Sequence, residues 1–342
     1  MARPKKQARA VERRRALTPN TSVSDASTVP NAATANPVTA LLTPIRWPAE
    51  AVWQAVAPML PGFTVEILPE IDSTNSELLR RLRSHHTGST RRADFAEPVL
   101  LVAETQTAGR GRMGRQWHSQ RASSLTFSLS LPLRITDWSG LSLVVGVSLS
   151  ESLSPEADAA SESTPALPRA RIGLKWPNDL WLIDGNSERK LGGILVETAT
   201  WDGLRYAVIG VGLNIRPADA AQPVAAGGVE PACLQQLEPS ADAATTLARV
   251  LPSLVRDLQA FAQHGFTPFQ SRFAGRDVLR GRTVHLSDGG SGIACGVQAD
   301  GALRVQMADG IKDITSSEIS VRPVGQADAH AAPDAPERSA TC

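Results

Sequence analysis

A glycine- and arginine-rich segment separates two strongly apolar runs, and this arrangement constrains the fold more than any other feature of the chain. Residues 99–103 predict one strand, and residues 125–133, apolar at every second position, predict a half-buried strand. Between them, three glycines give backbone freedom and three arginines give charge, while no acidic residue occurs from 105 to 136. The segment therefore predicts a strand–loop–strand unit whose loop binds an anionic ligand such as a phosphate.

Three other interpretations fit this segment less well. Residues 109–114 match the dinucleotide-binding pattern G-x-G-x-x-G, but that pattern requires a following helix and an acidic residue about 20 positions later. A strand pattern follows here, and the acid is missing. A disordered arginine–glycine tract that binds RNA would not be bracketed by apolar strands. A surface turn of solvated arginines would leave three cations without one compensating acid.

The overall composition excludes several classes of protein. A length of 342 residues is typical of about two domains, and a net charge of +1 excludes a globally basic nucleic-acid binder. The three cysteines are widely spaced and odd in number, which indicates neither a metal site nor a disulfide framework. The longest apolar stretch, 141–149, is too short to span a bilayer, and no secretory h-region follows the basic N-terminus. These features predict a cytoplasmic protein with no membrane partner.

Changes in local composition and hydrophobic periodicity along the chain predict the domain organisation. Both ends of the chain are rich in small and polar residues, which indicates disorder. A region near the C-terminus holds short alternating runs separated by Asp-Gly turns, which is typical of a small antiparallel barrel. The predicted parts are a disordered tail at 1–45, a mixed domain at 46–274 with loop insertions near 154–169 and 217–232, a barrel at 275–324 and a second disordered tail at 325–342.

Polar segments follow several of the predicted strands. The D-S-T-N sequence at 72–75 suits a helix N-cap, and capping alone would explain its serine or threonine. The K-W-P-N-D sequence at 175–179 ends a strand where mixed-sheet proteins bind ligands, or forms a type I turn. Lys190 precedes the glycine pair 192–193, and 210–214 holds two more glycines and an asparagine; glycines within a strand indicate close approach by a ligand or by backbone. Each segment has a structural explanation, but together with the arginine loop they favour a single site.

At these segments and at Gln106 the sequence resembles the biotin protein ligases, in that family's order and over most of residues 65–215. The resemblance implies an α+β fold, with a mixed-sheet catalytic domain of the biotin/lipoate ligase type followed by an SH3-like β-barrel. It also implies an ATP-dependent ligase that forms a carbon–nitrogen (amide) bond. Biotin and MgATP would give biotinyl-5′-AMP, which a lysine of a biotin carboxyl carrier domain, usually of acetyl-CoA carboxylase, would then attack. A homodimer is compatible with this resemblance.

The resemblance also implies roles for individual residues. Lys190, Arg112 and Arg115 would act in catalysis by neutralising charge on the reacting groups. Mg²⁺ would be held mainly through ATP, with Asp179 as the candidate protein ligand. The implied biotin-binding residues are Ser73, Thr74, Gln106, Gly109, Arg110 and Lys190, and the implied ATP- or adenylate-binding residues are Arg112, Arg115, Trp117, Asn178, Asp179 and Asn214.

Each alternative to a monofunctional biotin ligase conflicts with a feature of the sequence. Many bacterial members of the family carry an N-terminal winged helix-turn-helix, but residues 1–45 have neither its length nor its apolar periodicity, so we expect a monofunctional ligase that binds no DNA. A biotin-responsive transcriptional regulator would need a recognition helix. A lipoate ligase would not need the polar set of Ser73, Thr74 and Gln106. A non-enzymatic phosphate-binding module would leave Lys190 and Asp179 without a role.

Overall fold

The fold is known from a computed structural model of the chain. The residues from Pro44 onward form one compact unit. The structure describes residues 44–84, 97–154, 170–217, 231–315 and 321–323. Apart from a few residues at their ends, the predicted tails at 1–45 and 325–342 and the predicted loop insertions lie outside these ranges. The expected lack of a DNA-binding module in the N-terminal tail therefore also falls outside the described residues.

A seven-stranded mixed sheet forms the centre of the molecule. Its strands lie in the order β1-β2-β5-β9-β8-β7-β6; β1 and β2 are parallel, and all other neighbours are antiparallel. The strands are β1 (Thr64–Ile71), β2 (Val99–Gln106), β5 (Ser124–Pro132), β6 (Arg171–Lys175), β7 (Asp179–Asp184), β8 (Ser187–Trp201) and β9 (Leu204–Asn214). The short strands β3 (Gly109–Arg110) and β4 (Gln116–Trp117) form a separate hairpin. The predicted mixed sheet is thus confirmed.

Helices cover both faces of this sheet. They are α1 (Ala49–Val56), α2 (Thr74–Ser84), α3 (Leu141–Leu153), α4 (Ala243–His264) and α5 (Gln270–Ala274). The larger core includes α3 and the apolar stripe of α4, and the smaller core on the opposite face includes Leu78, Leu79 and Leu82 of α2. The helix α4 begins where Asp242 accepts a hydrogen bond from the Thr245 amide at 2.8 Å, a standard N-cap. The sheet is therefore the middle of three layers.

The strand predicted at 125–133 is present as β5, but the prediction that it is half-buried was wrong. Residues 124–131 of β5 are all buried, including the hydroxyl-bearing positions. The apolar positions face the larger core, and the polar ones face α2, where the Ser128 hydroxyl donates to Asn75 Oδ1 at 2.6 Å and lies 2.7 Å from the Thr74 hydroxyl. A buried polar face is tolerated because its hydroxyls find hydrogen-bond partners there.

A second, smaller sheet follows the helices and gives the predicted small β domain. It is antiparallel, with the strand order β13-β12-β11-β10-β14. Its strands are β10 (Thr283–Leu286), β11 (Ser291–Val297), β12 (Leu303–Met307), β13 (Gly310–Ile314) and β14 (Val321–Pro323). The sequence did not predict β13, because a five-residue strand with two apolar side chains carries no clear alternation.

The small β domain is joined to the edge of the large sheet at β6. The Leu174 amide donates to the Arg276 carbonyl at 2.7 Å, and the Val278 amide donates to the Leu174 carbonyl at 3.1 Å, so the segment before β10 occupies the free edge. Next to it, the fully buried Trp176 donates its indole N–H to the carbonyl of Gly301, in the turn between β11 and β12, at 3.0 Å. These bonds fix the small domain beside the K-W-P-N-D turn.

The bond from Trp176 should contribute measurably to stability. We expect Trp176→Phe to lower the free energy of unfolding by about 1–3 kcal/mol, because it leaves the buried Gly301 carbonyl without a donor. Trp53→Phe is the matched control: it also removes an indole bond, to the Phe63 carbonyl at 2.9 Å, but Trp53 is 42% exposed and water can replace it. Urea titration of the two variants measures the difference. Equal losses of unfolding free energy would show that the buried bond between the two sheets contributes no more to stability than the exposed one.

Candidate active site

A pocket lies on the α2 face of the sheet, between the N-terminus of α2 and the glycine–arginine loop, residues 109–117. Its volume is about 170 Å³, more than ten times the roughly 10–15 Å³ that one water molecule requires. Ten of the predicted site residues line it: Ser73, Thr74, Gln106, Arg110, Arg112, Arg115, Trp117, Asn178, Asp179 and Lys190. Ser73 and Lys190, which are 117 positions apart in the sequence, thus meet in one place.

One end of the pocket is polar but uncharged. Gln106 Oε1 accepts from the Thr74 amide at 2.8 Å and from the Thr74 hydroxyl at 3.1 Å, which fixes the orientation of the Gln106 amide. Ser73 Oγ caps α2 by accepting from the Ser76 amide at 3.3 Å, as the D-S-T-N pattern predicted. Among the described residues, neither Gln106 Nε2 nor the Ser73 hydroxyl has an acceptor for its protons. Both are donors available to a neutral polar ligand.

The other end of the pocket carries charge. Lys190 Nζ lies 2.7 Å from Asp179 Oδ1, and Arg112 Nη1 lies 3.4 Å from Asn178 Oδ1. Burial lowers the pKa of the Arg112 guanidinium and the neighbouring Arg115 lowers it further, while Asp179 opposes both. An arginine whose cation is already poorly solvated gains strongly from an anionic ligand. This end is therefore suited to phosphate.

The glycine–arginine loop forms a short hairpin over the pocket. Its stem is the pairing of β3 with β4, in which Gly109 lies opposite Trp117 and Arg110 opposite Gln116. At its tip, Met113 has a left-handed backbone with a φ of 55° and is 59% exposed. A methionine held in that conformation is unusual, because only glycine adopts it without steric cost.

Two glycines of β9 make room for side chains of the site. A Cβ on Gly210 would overlap Asn75 Oδ1, and a Cβ on Gly212 would overlap the indole ring of Trp117. The Trp117 ring therefore lies against the bare backbone of the sheet. Its indole N–H is buried and has no acceptor within the described part of the chain. That donor is available to a ligand.

Two predicted site residues do not line the pocket. Asn214 donates from Nδ2 to the Ala232 carbonyl at 3.0 Å, which ties the segment after residue 230 to the end of β9. Gly109 packs against the Trp117 carbonyl, where a side chain would not fit. Their ligand-binding roles stay predictions, but the contacts seen here are structural.

Three pocket or near-pocket residues were not assigned a role from the sequence. Asn75 is 3% exposed and donates to the Leu195 carbonyl at 3.2 Å and to Glu197 at 2.9 Å. Lys175 also lines the pocket, with Nζ 5.6 Å from the centroid of the Trp181 ring. Asn75 and Lys175 belong to the two polar segments already noted, so that signal could have found them. Glu197 ends the segment from Lys190 to Glu197 that resembles the family, but nothing in that segment indicated a role for its carboxylate.

Comparison with known proteins agrees with this geometry. The model of the biotin/lipoate A/B protein ligase family matches residues 72–214, and that of the biotin protein ligase C terminal domain matches residues 281–322. The chain is 34% identical over 269 residues to the bifunctional ligase/repressor BirA of Escherichia coli K12, covering 77% of this chain and 75% of that protein. It is 28% identical over 262 residues to the biotin–[acetyl-CoA-carboxylase] ligase of Paracoccus denitrificans, covering 74% and 98%.

A solved structure is similar as well. The biotin protein ligase of Aquifex aeolicus, in complex with biotin and ATP, aligns with a TM-score of 0.57 and 27% identity, over 76% of this chain and 98% of that one. The fold and pocket thus define a ligase of the biotin/lipoate type. Within that class, this chain belongs to the biotin protein ligase family.

The contact between Gly212 and Trp117 can be tested by adding a single methyl group. We expect Gly212→Ala to destabilise the protein by about 1–3 kcal/mol, because the methyl group would overlap a ring that β3 and β4 hold in place. The control is Gly193→Ala, whose methyl group would lie at ordinary distance, 3.6 Å from Lys190 Cε, and should cost less than about 1 kcal/mol. Denaturant unfolding of both variants gives the comparison. A Gly212→Ala protein as stable as Gly193→Ala would contradict the packing described.

Proposed function

We propose that the protein is an ATP-dependent biotin protein ligase. It joins biotin to ATP as biotinyl-5′-AMP and then transfers the biotinyl group to a lysine of a biotin carboxyl carrier domain, such as that of acetyl-CoA carboxylase. The observation that carries the proposal is the division of one pocket into an uncharged polar end and a cationic end. A ligand that is a neutral cyclic urea at one end and an acyl phosphate at the other matches both. The Aquifex relative was solved with biotin and ATP.

The polar end accounts for recognition of the ureido ring. Gln106 Nε2 and the Ser73 hydroxyl donate to the ureido oxygen, and Thr74 holds the Gln106 amide so that its donor faces the ligand. A buried donor left unpaired costs about 1–3 kcal/mol, so a ligand without polar atoms at this end is disfavoured. The apolar dithiolane of lipoate is such a ligand. This argument separates biotin from lipoate within the shared fold.

The cationic end accounts for the first chemical step. The biotin carboxylate attacks the α-phosphorus, a bond to the α-phosphate forms, and pyrophosphate leaves. Two anions must approach each other, so Lys190, Arg112 and Arg115 supply positive charge to the developing transition state. A carboxylate is already a nucleophile, so the step needs no general base.

Mg²⁺ fits this site as a companion of ATP. Magnesium usually keeps several waters and binds one or two carboxylates together with substrate phosphates. Among the described residues no group of three or more metal-ligating side chains converges, and Asp179 is the carboxylate of the pocket. When bound, the ion would neutralise phosphate charge. Asp179 would hold it once Lys190 turns from Asp179 to the ligand.

The second step transfers the biotinyl group. The neutral ε-amine of the carrier lysine attacks the carbonyl of the mixed anhydride, the new amide loses a proton to solvent, and AMP leaves. Biotinyl-5′-AMP hydrolyses readily if water reaches it. The glycine–arginine loop covers the pocket, so it retains the adenylate and excludes water until the carrier binds.

The direct test of this function is transfer of labelled biotin to a purified carrier domain with ATP and Mg²⁺. We expect labelling with biotin and none with lipoate offered at the same concentration. Labelling with lipoate alone would reassign the protein to the lipoate branch of the fold. Binding of either ligand without transfer would indicate a non-enzymatic module. In the described residues no helix has both the length and the apolar character needed to cross a membrane.

Lys190 should be required for adenylation but not for folding. We expect Lys190→Met to slow biotin-dependent ATP–pyrophosphate exchange by at least about 100-fold, because it removes the cation between the two reacting anions. Lys312→Met is the control, since that lysine also pairs with an aspartate, at 3.2 Å, but lies in the small β domain and is 50% exposed. Circular dichroism checks the fold of both. Normal exchange by folded Lys190→Met would remove Lys190 from the mechanism.

Arg112 should matter more for retaining the adenylate than for making it. We expect Arg112→Gly to form biotinyl-5′-AMP and release it early. The substitution removes the contact to Asn178 and adds backbone entropy to the open loop, so the open conformation is populated more often. Released anhydride acylates lysines of unrelated proteins, so added serum albumin should become biotinylated. Met113→Gly is the control, because it frees the same backbone without removing a guanidinium. Unlabelled albumin from an Arg112→Gly protein that makes adenylate would contradict the lid function.

A further inference from the structure

Six polar residues are linked by hydrogen bonds into one continuous series beside the pocket, and four of them line it. The series starts just before the glycine–arginine loop and ends inside it. Its members, in order of contact, are Gln106, Thr74, Ser128, Asn75, Glu197 and Arg110. Because Gln106 and Arg110 are four positions apart in the sequence, the backbone closes the series into a ring. The series thereby joins β2, α2, β5 and β8 to the loop.

Glu197 is the only carboxylate in this ring, and it does not line the pocket. Its Oε2 atom accepts from Asn75 Nδ2 at 2.9 Å and from Arg110 Nη2 at 2.6 Å, and its side chain is 26% exposed. Asn75 in turn is fixed, because its other amide proton goes to Leu195 and its oxygen accepts from Ser128 at 2.6 Å. The carboxylate is therefore held firmly on the sheet side, on β8, before it meets the loop.

Arg110 is the point where the loop receives this contact. It lies in β3, opposite Gln116 of β4, so a contact that fixes Arg110 also holds both strands of the hairpin stem in place. The chain has no acidic residue from 105 to 136, so the loop cannot supply a counter-ion of its own. Glu197, 87 positions later, supplies it. The contact joins β8 to the loop across the rim of the pocket.

We propose that Glu197 is a positioning residue, a carboxylate latch that holds the stem of the glycine–arginine loop against β8 and keeps the pocket covered. The latch touches no substrate. It acts through Arg110, and it sets how often the loop opens rather than how fast bonds form. Its consequence for adenylate retention rests on the proposed ligase function, but its effect on loop opening does not.

Trypsin tests the latch on the unliganded full-length chain, because the loop contains Arg112 and Arg115. Glu197→Gln keeps an acceptor for Asn75 and removes the charge that binds Arg110. We expect cleavage after Arg112 and Arg115 to become about fivefold faster, the effect of losing a partly exposed ion pair. Glu238→Gln is the matched control: that carboxylate pairs with Arg249 at 2.8 Å, is 40% exposed and lies outside the pocket. It should leave loop cleavage unchanged.

Two further measurements complete the experiment: trypsin cleavage of a double variant, and biotinylation of albumin by the single variant. Arg110→Gln combined with Glu197→Gln should be cleaved no faster than Glu197→Gln alone, because the two residues act as one pair. With biotin, ATP and albumin, Glu197→Gln should label albumin about fivefold more than the wild type while its rate of pyrophosphate exchange stays unchanged.

Either of two results would overturn the latch: loop cleavage at the wild-type rate, or cleavage that rises equally at all arginines together with a lower melting temperature. The second would mean that Glu197 supports only global stability. Failure of the proposed function is recognised separately. A wild-type protein that makes no biotinyl-5′-AMP would end the ligase assignment, and the trypsin comparison, which uses no ligand, would still decide the latch.

Discussion

The register of β9 between β5 and β8 is the constraint on which the whole site depends. It aligns Thr126, Gly212, Gly193 and Asp179 in one row across four strands, on the face that α2 covers. The two central positions of that row have no side chain, so a trough opens between a hydroxyl and a carboxylate. A slip of one residue would turn the glycines to the opposite face and fill the trough with β-branched and leucine side chains. The long pairing from Gly192–Leu213 to Trp201–Leu204 excludes such a slip.

Two cations of the site are paired with carboxylates of the protein. Lys190 faces Asp179 at 2.7 Å and Arg110 faces Glu197 at 2.6 Å, so the charge of each is compensated within the site. Both pairs remain partly exposed, which keeps their strength modest and lets a ligand exchange partners with them. The site thus combines internally compensated charge with groups that can bind phosphate.

Periodicity and local motifs predicted most of the fold, because strands and helices repeat over many residues. The motifs also gave most of the site: the pocket brings together Ser73, Thr74, Gln106, the three arginines, Asn178, Asp179 and Lys190, as expected from the sequence. The features that escaped depend on long-range contacts. The polar face of β5 is buried because α2 packs on it, and the hydrogen-bond partner of Trp176 lies 125 positions away. The contribution of Glu197 depends on its contacts with Arg110 and Asn75. No local pattern encodes such pairs.

The attachment of the segment 276–278 to β6 has a consequence for biosynthesis. Leu174 lacks its outer hydrogen-bond partners until the chain has been made past Val278, and Trp176 lacks its acceptor until Gly301 exists. On the ribosome, the glycine–arginine loop, β8 and β9 are therefore synthesised before these partners exist. During that time the turn that bears Asn178 and Asp179 lies at an open sheet edge, without its contacts to the later segments. The order of synthesis delays completion of the pocket until nearly the entire protein has emerged.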